Sequence, residues 1–535
     1  GAGGAGGAGG PGAGAPPPPG GGGELDARGV RALALALERR ATENLEARVR
    51  HAGAPERFME SELDLDDAVR AVAGLAARPE LFPVFMDLDA VPTLLGLVGH
   101  ANASLAADVV DVVRELTDAE ALGAHPAEAR AMAEALLAGG VVESVAGRLG
   151  GLDEGVAEEA AAVFNALAVF ENLLEVAPEG AGARLAGGAC DALGWLLRRA
   201  ARAEHDSNRL AAAELTAILL HRGGAARTRL LDCDGVELLL QSAARFKRRD
   251  PEAGEEEEYA ENVFGALCSV VSGGGAPGAT AADAVGRAFL EAEGLELLAL
   301  LVRKKCFARH CALKVLDFAL HGVPGAPERF VRAGGLGGLF ALFMGRGLSR
   351  RTRWEEGSGS TEFTERVVSA LAALLGRLPR GPERDRVYAK FREAGLEKVD
   401  RLVELWARYF DALEAQDPAG APGPEPEDAY VHRLDGGLHT LQHLSLVLGS
   451  LWGMGDPDVR ARLLFVLHQQ GLSLTLVAEV LDEQLEFQGA ADAEAEAEAE
   501  AEAKVGGGSA AGAPAARAAR EQRLRGLVRA LRVPA

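Results

Sequence analysis

The chain has 535 residues, 48% hydrophobic and 25% charged, which suits a folded protein of several domains' length. Aromatic residues make up only 5%, so the core must be built from Ala, Leu and Val, a composition that favours helix. Lys and Arg number 56 against 79 Asp and Glu, a net charge of −23. Such a field repels nucleic-acid phosphate and favours basic partners, so direct nucleic-acid binding is not expected.

In chain order, residues 1–50 open on GAGGAGGAGGPGAGAPPPPGGGG. That stretch cannot bury enough apolar surface to fold and reads as disordered, with LERRATENLEARVR behind it as a charged helix. No charged segment followed by an apolar one begins the chain, so no secretory signal is expected. Across residues 51–414, small-residue starts followed by an apolar helix recur at Ala90, Gly140, Ala192, Gly235, Gly294 and Gly335. DGVELLL from Asp234 and EGLELLALL from Glu293 are near copies. Between the starts lies room for another helix or two, such as AADVVDVVRELTD or HCALKVLDFALHG. Helical units of roughly 40–47 residues predict an all-α, armadillo/HEAT-like superhelical solenoid, in which each unit covers its neighbour's apolar face.

Residues 415–428 have the composition of a Pro/Gly/acidic linker, and 429–488 read as the C-terminal helical part of the solenoid. The Ala-Glu and Gly/Ala-rich tract at 489–516 reads as a solvated spacer, because its Glu residues repel at i,i+4. Residues 517–535 end in REQRLRGLVRAL, a basic amphipathic helix with Leu524, Leu527, Val528 and Leu531 on one face. No apolar run is long enough to cross a membrane. Cys190, Cys233, Cys268, Cys306 and Cys311 show no CxxC spacing and read as reduced thiols of cytosol or nucleus.

Chemistry is hard to find. Walker-type and HEXXH motifs are absent, and Gly-rich matches carry no weight in a chain with 68 Gly. His439 and His443 in HTLQH, and Cys306, His310 and Cys311 in CFARHC, read as helical spacing within a core, not as metal ligands. No cofactor is expected, and an enzyme is the weak alternative. Acid at helical spacing does stand out. Asp108, Asp111, Glu115 and Asp118 share one stripe of DVVDVVRELTD, opposite Val109, Val112, Val113 and Leu116. Asn165, Asn172 and Glu175 mark a comparable stripe, as do Glu258 and Asn262, and Asp317 further on. If these helices line an inner surface, amides would hold an extended peptide and carboxylates would pair with its Lys and Arg. A solvated outer face without a partner is the competing reading.

From ERFMESELDLDDAVRAVAGLAARPELFPVFMDLDAVPTLLGLVGH onward the residues become specific. Through GLDEGVAEEAAAVFNALAVFENLLEVAPE, DGVELLLQSAARFKRRDP, EGLELLALLVRKK and YVHRLDGGLHTLQHLSLVLGSLW, the chain resembles the beta-catenin-like protein 1 family over roughly Glu56 to Leu485. The resemblance implies a nucleus-localised, non-catalytic armadillo-like scaffold of the spliceosome-associated nineteen complex. It also implies recognition of basic nuclear-localisation-type segments of splicing factors, and a possible homodimer. The chain departs from the family pattern at its start, where Gly1 to Gly23 contains no Lys or Arg. An importin-α-like transport adaptor is the nearest alternative. Its Trp-x-x-x-Asn pairs are missing here, since Trp195, Trp354, Trp406 and Trp452 are followed at +4 by Arg199, Ser358, Phe410 and Asp456.

Overall fold

The computed structural model describes residues 25–252, 254–272, 280–346, 358–416, 426–487 and 513–533. The Gly/Pro-rich start, and most of the 415–428 linker and 489–516 spacer, lie outside them. The described residues are helical, with no strand among them. The chain divides into two compact units, Gly1–Arg184 and Leu185–Ala535.

In the first unit, long helices pack in succession: α1 (Ala27–Arg50) on α2 (Met59–Ala73), α2 on α3 (Ala103–Thr117) and α3 on α4 (Ala157–Val176). The charged segment read near the N-terminus is the second half of α1. It joins the core through Leu37 and Asn44, which are buried. Asp26 caps α1, its carboxylate accepting from the Arg28 and Gly29 amides. Shorter helices such as Pro126–Ala138 and Val141–Leu149 back the ladder.

The second unit repeats the scheme along α5 (Ser207–Arg222), α6 (Glu255–Val271), α7 (Ala308–Gly322), α8 (Ser358–Arg377), α9 (Leu438–Gly453) and α10 (Ala513–Arg532), each packed on the next. The basic C-terminal helix α10 is therefore the last rung. It buries Leu524, Val528 and Leu531. Gly449 of α9 admits it closely, with Leu527 and Leu531 near the place a Cβ would occupy. Trp452 Nε1 donates to the Ala530 carbonyl at 2.9 Å, and Arg523 donates to the Leu375 carbonyl at 2.5 Å.

The near-copies seen in sequence are junctions. Gly235, Gly294 and the residue after Gly335 begin backing helices, and each glycine follows a large apolar residue five positions earlier: Leu230, Phe289 and Phe330. That side chain folds over the helix start. A Cβ at Gly294 would stand 2.5 Å from the Phe289 ring, and one at Gly335 2.1 Å from the Phe330 ring. The chain enters two of these helices through a left-handed residue, Asp234 (φ 51°) and Glu293 (φ 59°). Repetition in the sequence records a repeated packing constraint.

Candidate partner-binding surface

Helix α3 is positioned by its ends. Asn102 accepts from the amides of Ser104 and Leu105 at 3.0 and 3.4 Å. Asp118, expected on the acidic stripe, lies just past the helix and accepts from the Glu120 and Ala121 amides at 3.1 and 3.0 Å. It shapes the turn there instead of extending the stripe. Val109, Val113 and Leu116 are buried on the opposite side, which leaves Asp108, Asp111 and Glu115 at the half-exposed edge.

These carboxylates are tied to neighbouring groups. Asp108 Oδ2 meets Arg70 of α2 at 2.9 Å. Asp111 Oδ1 pairs with Arg114 at 2.8 Å and accepts from Asn165 Nδ2 of α4 at 3.2 Å. Glu115 stands 3.6 Å from the same Arg114. Asn172 Nδ2 donates to the Arg114 carbonyl at 3.1 Å, so this amide fastens α4 to α3. Glu175 is exposed on the same stripe of α4 as Asn172. Within the first unit the structure thus gathers Asp108, Asp111, Glu115, Asn165 and Asn172 across adjoining helices.

Two members escaped the sequence reading. Asp66 of α2 lies against Asp108, and its Oδ1 is buried without a hydrogen-bond donor. Burial, the side-chain hydrogen bond with Asp108 and the repulsion of that carboxylate push the Asp66 carboxyl up to about 6. A proton on Asp66 resolves the contact, since only a protonated carboxyl donates to its neighbour. Acid at i and base at i+4, Asp66 and Arg70, was the available signal. The second is Phe164 on α4, 49% exposed beside Asn165, an aromatic face of the kind that accepts a guanidinium or a Lys stem.

The expected residues of the second unit behave differently. Glu258 is exposed on the first turn of α6, and Asn262 is half-buried one turn on. Among the four Glu that open α6, Glu256 is the structural one. It is 6% exposed, joined to Arg249 through both oxygens at 2.5 and 2.8 Å, and accepts the Glu252 amide. These bonds hold its carboxyl below the usual range. Asp317 of α7 sits between His321 at 3.4 Å and Arg366 of α8 at 3.7 Å, at the wall of a cavity. Among the described residues, no group of three or more His, Cys, Asp or Glu is placed to hold a metal ion.

Paired ladder helices with backing helices, and a surface of tethered carboxylates and amides, define an armadillo-like helical-repeat protein. The family model for catenin-beta-like, Arm-motif-containing nuclear proteins matches residues 18–482, and the chain belongs to that family, a nuclear one. The chain is 37% identical to Beta-catenin-like protein 1 of Homo sapiens over 478 residues, covering 86% of this chain and 82% of the relative. Identity to the Beta-catenin-like protein 1 homolog of Schizosaccharomyces pombe is 31% over 431 residues, covering 78% of this chain and 72% of that relative. A crystal structure of an engineered protein aligns with a TM-score of 0.45 at 16% identity, over 88% of this chain and 96% of that one.

Proposed function

We propose that this protein is a non-catalytic scaffold of the spliceosome-associated nineteen complex, supporting pre-mRNA splicing by holding basic segments of splicing factors. The observation that carries the reading is the surface of α2, α3 and α4. There Asp108, Asp111, Glu115 and Glu175 outnumber the two arginines tied to them among the described residues, Arg70 and Arg114. Neutralisation is incomplete, and a Lys- or Arg-rich guest supplies the missing charge through charge-assisted hydrogen bonds. Asn165 and Asn172 set the spacing of the helices that present the acids. Phe164 offers a stacking face beside them. Family membership supports the nuclear setting.

The test is recovery of partners from nuclear extract on immobilised full-length protein, with identification by mass spectrometry. Splicing factors bearing Lys/Arg-rich segments are the expected catch, and Asp111→Lys/Glu115→Lys reduces it. Recovery of transport factors alone would contradict the scaffold reading.

A further inference from the structure

A cavity of about 700 Å³ opens among α7, α8, α9 and α10 of the second unit. Its size falls within the range of small-molecule sites. Phe318, Ala372, Ala373, Leu446 and Leu524 supply apolar wall. The polar groups are mostly cationic or imidazole: Arg377 from α8, His439 and His443 from α9, His321 from α7, and Arg520 and Arg523 from α10. The chain as a whole carries −23, so this concentration of base runs against the protein's own charge.

The charges in the cavity do not cancel. Among the described residues, the one carboxylate in the wall is Asp317, which lies within ion-pairing range of His321 and Arg366. Arg523 is committed to the Leu375 carbonyl. Arg377 and Arg520 have no ion pair among the described residues, yet they face the same space and repel each other. Burial, with the Arg520 charge added, pushes the Arg377 guanidinium below its usual range.

His443 adds a second, independent sign. It is 7% exposed, and neither imidazole nitrogen meets a hydrogen-bond partner among the described residues. Its ring lies beside other imidazoles, with centroids 4.2 Å from His439 and 6.0 Å from His321. Burial and those neighbours hold it neutral, so it keeps one N–H to donate and one lone pair to fill. Because His443 lines the cavity, an oxygen of a bound ligand can accept that N–H.

We propose that this cavity is a binding site for a phosphate monoester, its dianionic head held by Arg377 and Arg520 with His443 donating, its organic body against Phe318, Ala372 and Leu446. Two uncommitted guanidiniums match one dianion, and the planar fork suits tetrahedral oxygens. The ester is either a free metabolite-sized molecule or a phosphorylated side chain of a protein. Helix α10 completes the site by bringing Arg520, and so couples ligand binding to the docking of the C-terminus.

Isothermal titration of the full chain with phenyl phosphate, and in a second arm with a phosphotyrosine peptide, tests this. One-to-one binding is expected in at least one arm, weakened tenfold or more by Arg377→Gln and by Arg520→Gln. Both side chains lack ion pairs, so neither variant is expected to melt differently from the parent, which circular dichroism checks. Tighter binding of the peptide assigns the phosphate to a protein partner; equal or tighter binding of phenyl phosphate assigns it to a free ester. Absence of binding in both arms, or affinity unchanged in both variants, overturns the proposal. Binding of a basic peptide to the first unit is expected to be unchanged in the two Gln variants, which separates this site from the acidic surface.

Discussion

Asn165 of α4 and Asp111 of α3 are joined by a 3.2 Å hydrogen bond, and the same carboxylate oxygen holds Arg114 at 2.8 Å. One oxygen therefore links two ladder helices and a cation. The acidic surface has an internal frame. Asn165→Ala is expected to cost about 1 kcal/mol, the usual net worth of such a bond. Urea denaturation of the full chain measures it, and an unchanged midpoint would show that the amide bond does not contribute.

Asp66 predicts a pH signature. Its carboxyl is raised from 3.8 to about 6 in the folded chain, so the native state binds this proton more tightly than the unfolded state. The sign follows from linkage: the contribution is fully present below about pH 4 and is lost as pH rises through about 6. Glu256 and Glu362, held low by Arg249 and Arg366, act in the opposite sense, losing stability as pH falls. The comparison must therefore be differential. Asp66→Asn is expected to gain on the parent between pH 4.5 and 7 in urea midpoint. A parallel pH dependence of the two proteins would remove the proton from this pair.

The repeat junctions predict a steric cost. Gly294→Ala places a Cβ about where the Phe289 ring lies, and overpacking of this kind costs about 1–3 kcal/mol. Shortening the obstacle relieves it, so Phe289→Leu combined with Gly294→Ala is expected to be more stable than the sum of the two single changes. Thermal melts of the four proteins form the cycle. Additive losses would mean that the glycine is not there for Phe289.

The ladder was readable because its determinants are local. Apolar residues at helical spacing in α3 and α7 announce a buried side. The Gly of DG or EG announces a junction. Leu524, Val528 and Leu531 announced the buried face of α10, although not the helix that covers it. Neutralisation of the acids was not readable. Arg70 reaches Asp108 across 38 residues and Asn165 reaches Asp111 across 54, and no window of sequence holds both partners. Asp118 was placed on the stripe by its spacing, but an Asx turn claims it where the helix stops. The four Glu that open α6 look alike in sequence, whereas Glu256 turns inward to Arg249. The cavity was least visible of all, because its arginines and histidines come from four separate helices.

The most direct test of the acidic surface is fluorescence anisotropy of a labelled Lys/Arg-rich peptide titrated with full-length protein at about 0.05 and 0.2 M salt. Wild-type affinity is expected to fall with salt as the paired charges are screened. Asp111→Lys/Glu115→Lys is expected to bind at least tenfold more weakly at the lower salt and to lose most of that salt dependence. Equal affinity of the two proteins, or wild-type binding indifferent to salt, would contradict the account.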